Sequence, residues 1–247
     1  MLASSRMLRA LVIVTCLGAC GTLPHGATTL PEPSPSLVER GPPAQCDAGT
    51  LPRPDQPGCL AGAVTVEGAA RGPAWVWVDD VFEVAPPTQT ARILMKDQTF
   101  WPEVLVVRAG TRVEFPNGDE VLHNVFSSTP GAVFDLGLYR QGASEGHAVL
   151  KPGIVKVFCN IHPKMASVVV VVPGRLVTET HDGRYVLGGV PPGKHKVAVW
   201  TLGAAEPKRL DVTVFPGATA EVDFTIAATP DGQHRNKEGM PYGSYDK

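Results

Sequence analysis

Short alternations of apolar and polar residues, separated by turn residues, run from about residue 60 to residue 226. An alternation of period two is typical of strands that have one buried face. Asn-Gly, Asp-Gly and Pro-Gly pairs between the alternations predict tight turns. Because no long stretch has the period of an amphipathic helix, the pattern predicts an all-β sandwich or barrel. The predicted strands are 63–66, 75–78, 93–95, 104–107, 113–115, 154–158, 166–172, 185–187, 195–200, 210–214 and 220–226.

The N-terminus has a different pattern. In residues 1–19, two arginines precede the apolar stretch 10–17, which is shorter than the roughly 20 residues that span a bilayer. This pattern predicts a signal peptide. Its end, Leu17-Gly18-Ala19-Cys20, resembles the bacterial lipobox, and the resemblance implies that Cys20 is lipidated. An ordinary signal peptide with an incidental cysteine is the alternative.

Export sets the expected location. We expect an outer-membrane lipoprotein of the bacterial cell envelope that faces the periplasm and contacts the membrane through its lipid anchor only. Residues 20–58 are rich in proline and have no hydrophobic period, which predicts an extended linker. Near its end, Cys46 and Cys59 are predicted to form a disulfide in the oxidising compartment; two free thiols are the alternative. The polar stretch 229–247 is predicted to be a flexible tail.

Composition removes several classes of protein. The 247 residues include 24 Pro and 26 Gly, and the formal net charge is −2. Pro plus Gly stays below the roughly 25–30% of low-complexity chains, so packed domains are expected. A near-neutral chain lacks the basic face that nucleic acid requires, so no nucleic-acid partner is expected. The 5 Cys are too few for a disulfide scaffold, so each needs its own explanation.

The candidate chemistry is concentrated in residues 158–165, Phe-Cys-Asn-Ile-His-Pro-Lys-Met. This segment puts Cys159, His162 and Met165 on one short loop, and we expect His123, 36 residues upstream of Cys159, at the end of a neighbouring strand. A thiolate, two imidazoles and a weak thioether ligand are the donors of a type 1 copper centre. Because sulfur suits Cu(I) and imidazole suits Cu(II), this mixed set supports one-electron cycling. These residues predict one mononuclear copper site.

Other uses of the same residues fit less well. Zinc binds cysteine and histidine, but a thioether is a poor zinc ligand. A cysteine hydrolase would need separated residues and an oxyanion site, which a tight Met-bearing loop does not supply. One thiolate cannot build the dinuclear copper centre that uses two cysteines, and there are no additional histidine clusters for a copper oxidase. We therefore expect no enzyme and no small-molecule substrate.

The segment 90–173 resembles the cupredoxin family. Its C-x2-H-x2-M loop, with Pro163 after the histidine, is similar to that of amicyanin-type cupredoxins, and the residues leading to His123 are similar to the plastocyanin-like leader. The resemblance implies a Greek-key cupredoxin β-sandwich over 88–172. It also implies that Asn124 helps to fix the Cys-bearing loop. The copper ligands that it implies are His123, Cys159, His162 and Met165.

A second pattern surrounds the first. The run from Thr178 to Trp200 resembles carboxypeptidase regulatory-like (transthyretin-like) β-sandwich domains. The region after residue 173 offers only about four strands, which is few for a separate core, while 60–84 resembles the first hairpin of that family. We therefore predict a discontinuous domain, 60–84 and 173–228, around an inserted cupredoxin. Tandem order is the alternative.

Two functions agree with these residues. The first is an electron carrier, to which a redox partner protein such as a c-type cytochrome or a dehydrogenase docks near His162. The second is an envelope protein that binds, stores or delivers copper without electron transfer. The combination of Cys159, His162 and Met165 favours the carrier, because storage alone does not need that ligand geometry.

Overall fold

The computed structural model describes residues 53–69, 72–83, 90–229, 232 and 234–242. These residues form strands, turns and loops and contain no helix, which confirms the all-β prediction. The predicted signal peptide, Cys20 and Cys46 lie outside the described residues, as does most of the predicted linker. Among the residues that are described, no helix is long and apolar enough to cross a membrane.

The strands follow one another closely, as the spacing of turn residues predicts. In chain order they are β1 (Gly58–Gly68), β2 (Ala74–Val78), β3 (Thr90–Arg92), β4 (Leu94–Lys96), β5 (Thr99–Trp101), β6 (Val104–Arg108), β7 (Thr111–Pro116), β8 (His123–Ser127), β9 (Phe134–Tyr139), β10 (Ser144–Val149), β11 (Gly153–Cys159), β12 (Ala166–Val172), β13 (Val177–Glu179), β14 (Arg184–Val190), β15 (Gly193–Thr201), β16 (Lys208–Val214), β17 (Thr219–Glu221) and β18 (Phe224–Ala228).

Strand pairing divides the described residues into two modules. In the flanking module, β1 pairs antiparallel with β14 and parallel with β17 and β18, and the second sheet has the order β13-β2-β15-β16. The central module contains β3 to β12. It combines a sheet of order β10-β7-β3 with a sheet of order β6-β12-β11-β8-β9, and β4 and β5 form a separate hairpin.

Strand β12 contributes side chains to the cores of both modules. Val168, Val170 and Val172 belong to the core of the flanking module, whereas Val169 and Val171 belong to the core of the central module. Successive side chains of a strand point to opposite faces, so an uninterrupted valine run is apolar on both sides. One sheet of the central module therefore also closes the core of the flanking module.

Strands β9 and β10 of the central module are among those that the sequence analysis did not predict. Strand β9 contains Asp135 and Gly137, and β10 contains Glu145 and Gly146, residue types that are depleted in strands. These strands form because they pair with β8 and β7, whose apolar residues are buried. Tertiary pairing thus overrides a weak local preference.

Replacing either buried face of β12 should destabilise both modules. We expect Val170→Ala and Val169→Ala each to lower the free energy of unfolding by about 2 kcal/mol, because methyl groups are removed and a cavity remains. Hydrogen exchange of peptides from β2 and from β7 should accelerate in both variants. Val186→Ala, at a side chain that is 56% exposed, is the control. Acceleration confined to one module would contradict a shared strand.

Candidate metal centre

Strand register brings the first two candidate ligands together. Cys159 ends β11 and lies opposite Val125 of β8. His123 begins β8 and occupies the preceding position on the same face as Val125. Both His123 and Cys159 are fully buried. His162 lies in the loop that follows β11, so the local fold assembles three donors from two neighbouring strands and one connection.

The three donor atoms form a compact triangle. His123 Nδ1 lies 3.1 Å from His162 Nδ1, and Cys159 Sγ lies 3.5 Å from His162 Nδ1 and 3.8 Å from His123 Nδ1. A point equidistant from the three atoms is about 2.0 Å from each, which matches metal distances of about 2.0–2.3 Å for imidazole and thiolate ligands. The donor set and its spacing therefore fit a metal ion.

The loop between β11 and β12 is held by its own backbone. The Cys159 amide donates to the Met165 carbonyl at 3.1 Å, and the Met165 amide donates to the His162 carbonyl at 3.0 Å. Met165 is fully buried and belongs to the same apolar cluster as Cys159. The structure thus brings His123, Cys159 and His162 together and packs Met165 in the core beside the cysteine.

An acidic residue that the sequence analysis did not single out orients His123. Asp119 Oδ2 lies 2.9 Å from His123 Nε2. The same carboxylate accepts hydrogen bonds from the backbone N–H groups of Asp97 at 2.7 Å and Gln98 at 2.9 Å. Both residues lie in the turn between β4 and β5. A carboxylate behind a histidine fixes which ring nitrogen carries the proton. Here it leaves Nδ1 of His123 facing Cys159 and His162.

The surroundings of Cys159 favour its thiolate. Burial by itself would raise the pKa of the thiol, but a hydrogen bond with His123 and the backbone N–H groups of Ile161, Asn124 and His162 together lower the pKa below its ordinary value. Hydrogen bonds to the charged form are the cause. The thiolate is the form that binds metal, so these contacts favour the metal-binding form of Cys159.

The pKa values of His123 and His162 shift in opposite directions. Burial would lower the pKa of His123, but Cys159 and Asp119 outweigh it and raise that pKa. The pKa of His162 is lowered, first by burial and then by the nearby charge of His123. A metal ion that binds Nδ1 of His123 competes with the proton for that nitrogen, so metal binding is expected to depend on pH.

Asn124 contacts both the cysteine and strand β9. Its backbone N–H contributes to the cysteine environment, but its side-chain amide donates to Asp135 Oδ1 at 2.6 Å and to the Gly137 carbonyl at 2.9 Å, both in β9. In the described part of the chain its side-chain oxygen has no hydrogen-bond partner. The side chain therefore contacts β9, and the role of Asn124 in fixing the Cys-bearing loop stays a prediction.

The other predicted cysteine roles lie apart from this centre. Cys59 is buried at the start of β1 and is disulfide-bonded, but the predicted partner Cys46 lies outside the described residues, so that pairing stays a prediction. Lipidation of Cys20 stays a prediction for the same reason. Among the described residues, Cys159 is the free thiol.

Parts of the chain are similar to solved copper proteins. A purple cupredoxin from Nitrosopumilus maritimus is 27% identical, and the similarity covers 33% of this chain and 98% of that one with a TM-score of 0.30. A reduced variant of amicyanin is 22% identical over 40% of this chain and 97% of its own, with a TM-score of 0.32. A copper-containing nitrite reductase from Thermus scotoductus SA-01 is 22% identical over 44% of this chain and 28% of its own, with a TM-score of 0.34.

No protein-family model and no curated protein matches this chain. The three named structures each cover less than half of the chain. The resemblance of the flanking module to carboxypeptidase regulatory-like domains therefore stays a prediction.

Removing the carboxylate behind His123 should weaken metal binding. We expect Asp119→Asn to lower the affinity for Cu(I) by about 10- to 100-fold, the usual cost of losing a group that orients a ligand. Competition with a chromogenic chelator measures this affinity. Glu120→Gln, which neutralises the adjacent exposed acid, is the matched control. Equal affinity of the two variants would contradict the role given to Asp119.

Proposed function

We propose that this chain binds one mononuclear copper ion and carries single electrons between redox partners. The observation that carries the proposal is the convergence of Cys159 Sγ with the Nδ1 atoms of His123 and His162 around one point. Met165, buried at the end of the same loop, would hold the copper weakly through its thioether. This is the donor set of a type 1 copper centre. Zinc sites, by contrast, do not use thioethers.

The chain's own groups hold these donors in place. Asp119 orients His123, backbone N–H groups surround the Cys159 thiolate, and the backbone bonds of Met165 close the loop. Bound copper would supply one-electron chemistry by alternating between Cu(I) and Cu(II). Ligands that are already oriented in the folded chain change little between the two states, which favours electron transfer.

Electrons would enter and leave beside His162. This residue is partly exposed, whereas His123 and Cys159 are fully buried. Apolar side chains next to the ligands in sequence are exposed, at 44% for Ile161 and 50% for Leu122. An apolar surface next to a solvent-accessible ligand suits transient docking of a redox partner protein. We infer no small-molecule substrate, so the protein acts as a carrier rather than an enzyme.

The sequence of the N-terminus supports a location for this function. A lipid on Cys20 and a proline-rich spacer over 20–58 would tether the redox centre to the outer membrane while it faces periplasmic partners. The spacer would give the docking surface room to reach those partners.

Spectroscopy of the purified protein with Cu(II) tests the proposal. We expect intense visible absorption from the bond between Cys159 and copper, with a narrow type 1 EPR hyperfine pattern and reversible electrochemistry. Cys159→Ser should lose the intense band completely, because serine supplies no thiolate. Ser167→Ala, in the adjacent strand β12, is a control that should keep it. A protein that holds colourless Cu(I) and resists oxidation would instead be the storage or delivery protein.

Replacing Met165 should alter the reduction potential and keep the copper. We expect Met165→Leu to retain the intense band and to raise the reduction potential, because the lost thioether binds Cu(II) and the new side chain is apolar. A tenfold relative loss of Cu(II) affinity corresponds to about 59 mV for one electron. Cyclic voltammetry of the two proteins measures the change. An unchanged potential would show that Met165 is not a copper ligand.

A further inference from the structure

The C-terminal residues 234–242 pack against the candidate metal centre, although sequence analysis assigned them to a flexible tail. We call this segment the C-terminal clasp. It is folded on itself: the Asn236 side-chain oxygen accepts the Met240 amide at 2.7 Å, and the Asn236 amide donates to the Met240 carbonyl at 2.9 Å. Asn236 is buried at 4% exposure. The clasp is therefore a compact turn.

The clasp reaches the backbone of the ligand loop directly. The Tyr242 hydroxyl donates to the carbonyl oxygen of Cys159 at 2.5 Å. The side chain of the next residue is also held, because the Lys237 backbone amide donates to Asn160 Oδ1 at 2.9 Å. The segment thus contacts both Cys159 and Asn160, at the point where β11 ends and the ligand loop begins.

Aromatic stacking seats the clasp on the same strand. The His234 ring stacks on Phe158 with a centroid distance of 4.3 Å and an interplanar angle of 18°. Tyr242 packs edge-on against His234 at 5.1 Å, and its hydroxyl lies 3.2 Å from His234 Nδ1. Phe158 immediately precedes Cys159, so this stacking places Tyr242 beside the Cys159 carbonyl.

The clasp also connects the ligand loop to β9. Lys237 Nζ lies 2.8 Å from Asp135 Oδ2, and Asp135 Oδ1 accepts the side-chain amide of Asn124. Asp135 therefore links Lys237 of the clasp to the side chain of Asn124. An exposed ion pair contributes little free energy by itself, so the Tyr242 bond and the aromatic stack carry most of the attachment.

We propose that the C-terminal clasp is a working part of the metal centre, with Tyr242 as a positioning residue that fixes the peptide following Cys159. The orientation of that peptide sets the path of the loop, which carries the Ile161 and His162 N–H groups that face the thiolate. The clasp thereby fixes the positions of the N–H groups around the thiolate and of His162 relative to Cys159. For its copper-loaded readout, the proposal rests on the proposed function.

Removing a single hydroxyl tests this in the metal-free full-length protein. We expect Tyr242→Phe to accelerate alkylation of Cys159 by about threefold to tenfold, the factor for one lost hydrogen bond. The rate is followed by mass spectrometry on the peptide that contains Cys159. Tyr185→Phe makes the same change in the flanking module, where the Tyr185 hydroxyl donates to the Val222 carbonyl at 2.7 Å. Equal alkylation rates in wild type and Tyr242→Phe would overturn the proposal.

Spectra of the copper-loaded protein report on the metal centre itself and do not change with overall stability alone. We expect the visible band and the EPR hyperfine pattern to change in Tyr242→Phe and to stay unchanged in Tyr185→Phe. Unaltered spectra in both variants would overturn the positioning role. If wild type shows no intense copper band, the proposed function fails, while Cys159 alkylation still decides whether the clasp holds the loop.

Discussion

Strand β12 packs valine side chains into two cores at once, and the rest of the structure depends on that packing. The strand is buried on both faces because its alternate residues belong to different modules. It pairs along its length with β11, from Gly153 opposite Val171 to Phe158 opposite Ala166. The ligand loop therefore connects two paired strands, β11 and β12, that are anchored by buried side chains. A site on rigid strands retains its geometry better than one on a free loop.

The second constraint is the charge of the site. A buried thiolate is costly unless hydrogen-bond donors surround it, and Cys159 meets this condition with backbone N–H groups and with His123. Asp119 adds a second anion on the far side of the His123 ring. One imidazole thus links two anionic groups, and the hairpin turn at Asp97 and Gln98 stabilises the outer one. The charge balance of the centre therefore also depends on the Asp97-Gln98 turn, which contains no metal-binding residue pattern.

The parts that sequence could predict are those with a local signal. Cys159, His162 and Met165 share one loop, and their donor types identify a metal centre without knowledge of the fold. Asp119 carries a weaker signal, because an acid four positions before His123 gains meaning only when the fold brings its carboxylate to His123 Nε2. Strands β9 and β10 have polar and glycine residues that conceal them, because pairing with β8 and β7 determines their conformation.

By itself the sequence determined the all-β class and the chemistry of the donor loop, since alternation and ligand spacing are properties of neighbouring residues. Tertiary structure decided which strands share a core and how His123 is oriented. It also decided that residues 234–242 lie on the Cys159 loop. Tyr242 and Cys159 are separated by 83 positions. The polar segment around Tyr242 has no hydrophobic periodicity from which this contact could be predicted. Only the folded chain brings the Tyr242 hydroxyl to the Cys159 carbonyl, because no local pattern relates residues so far apart in sequence.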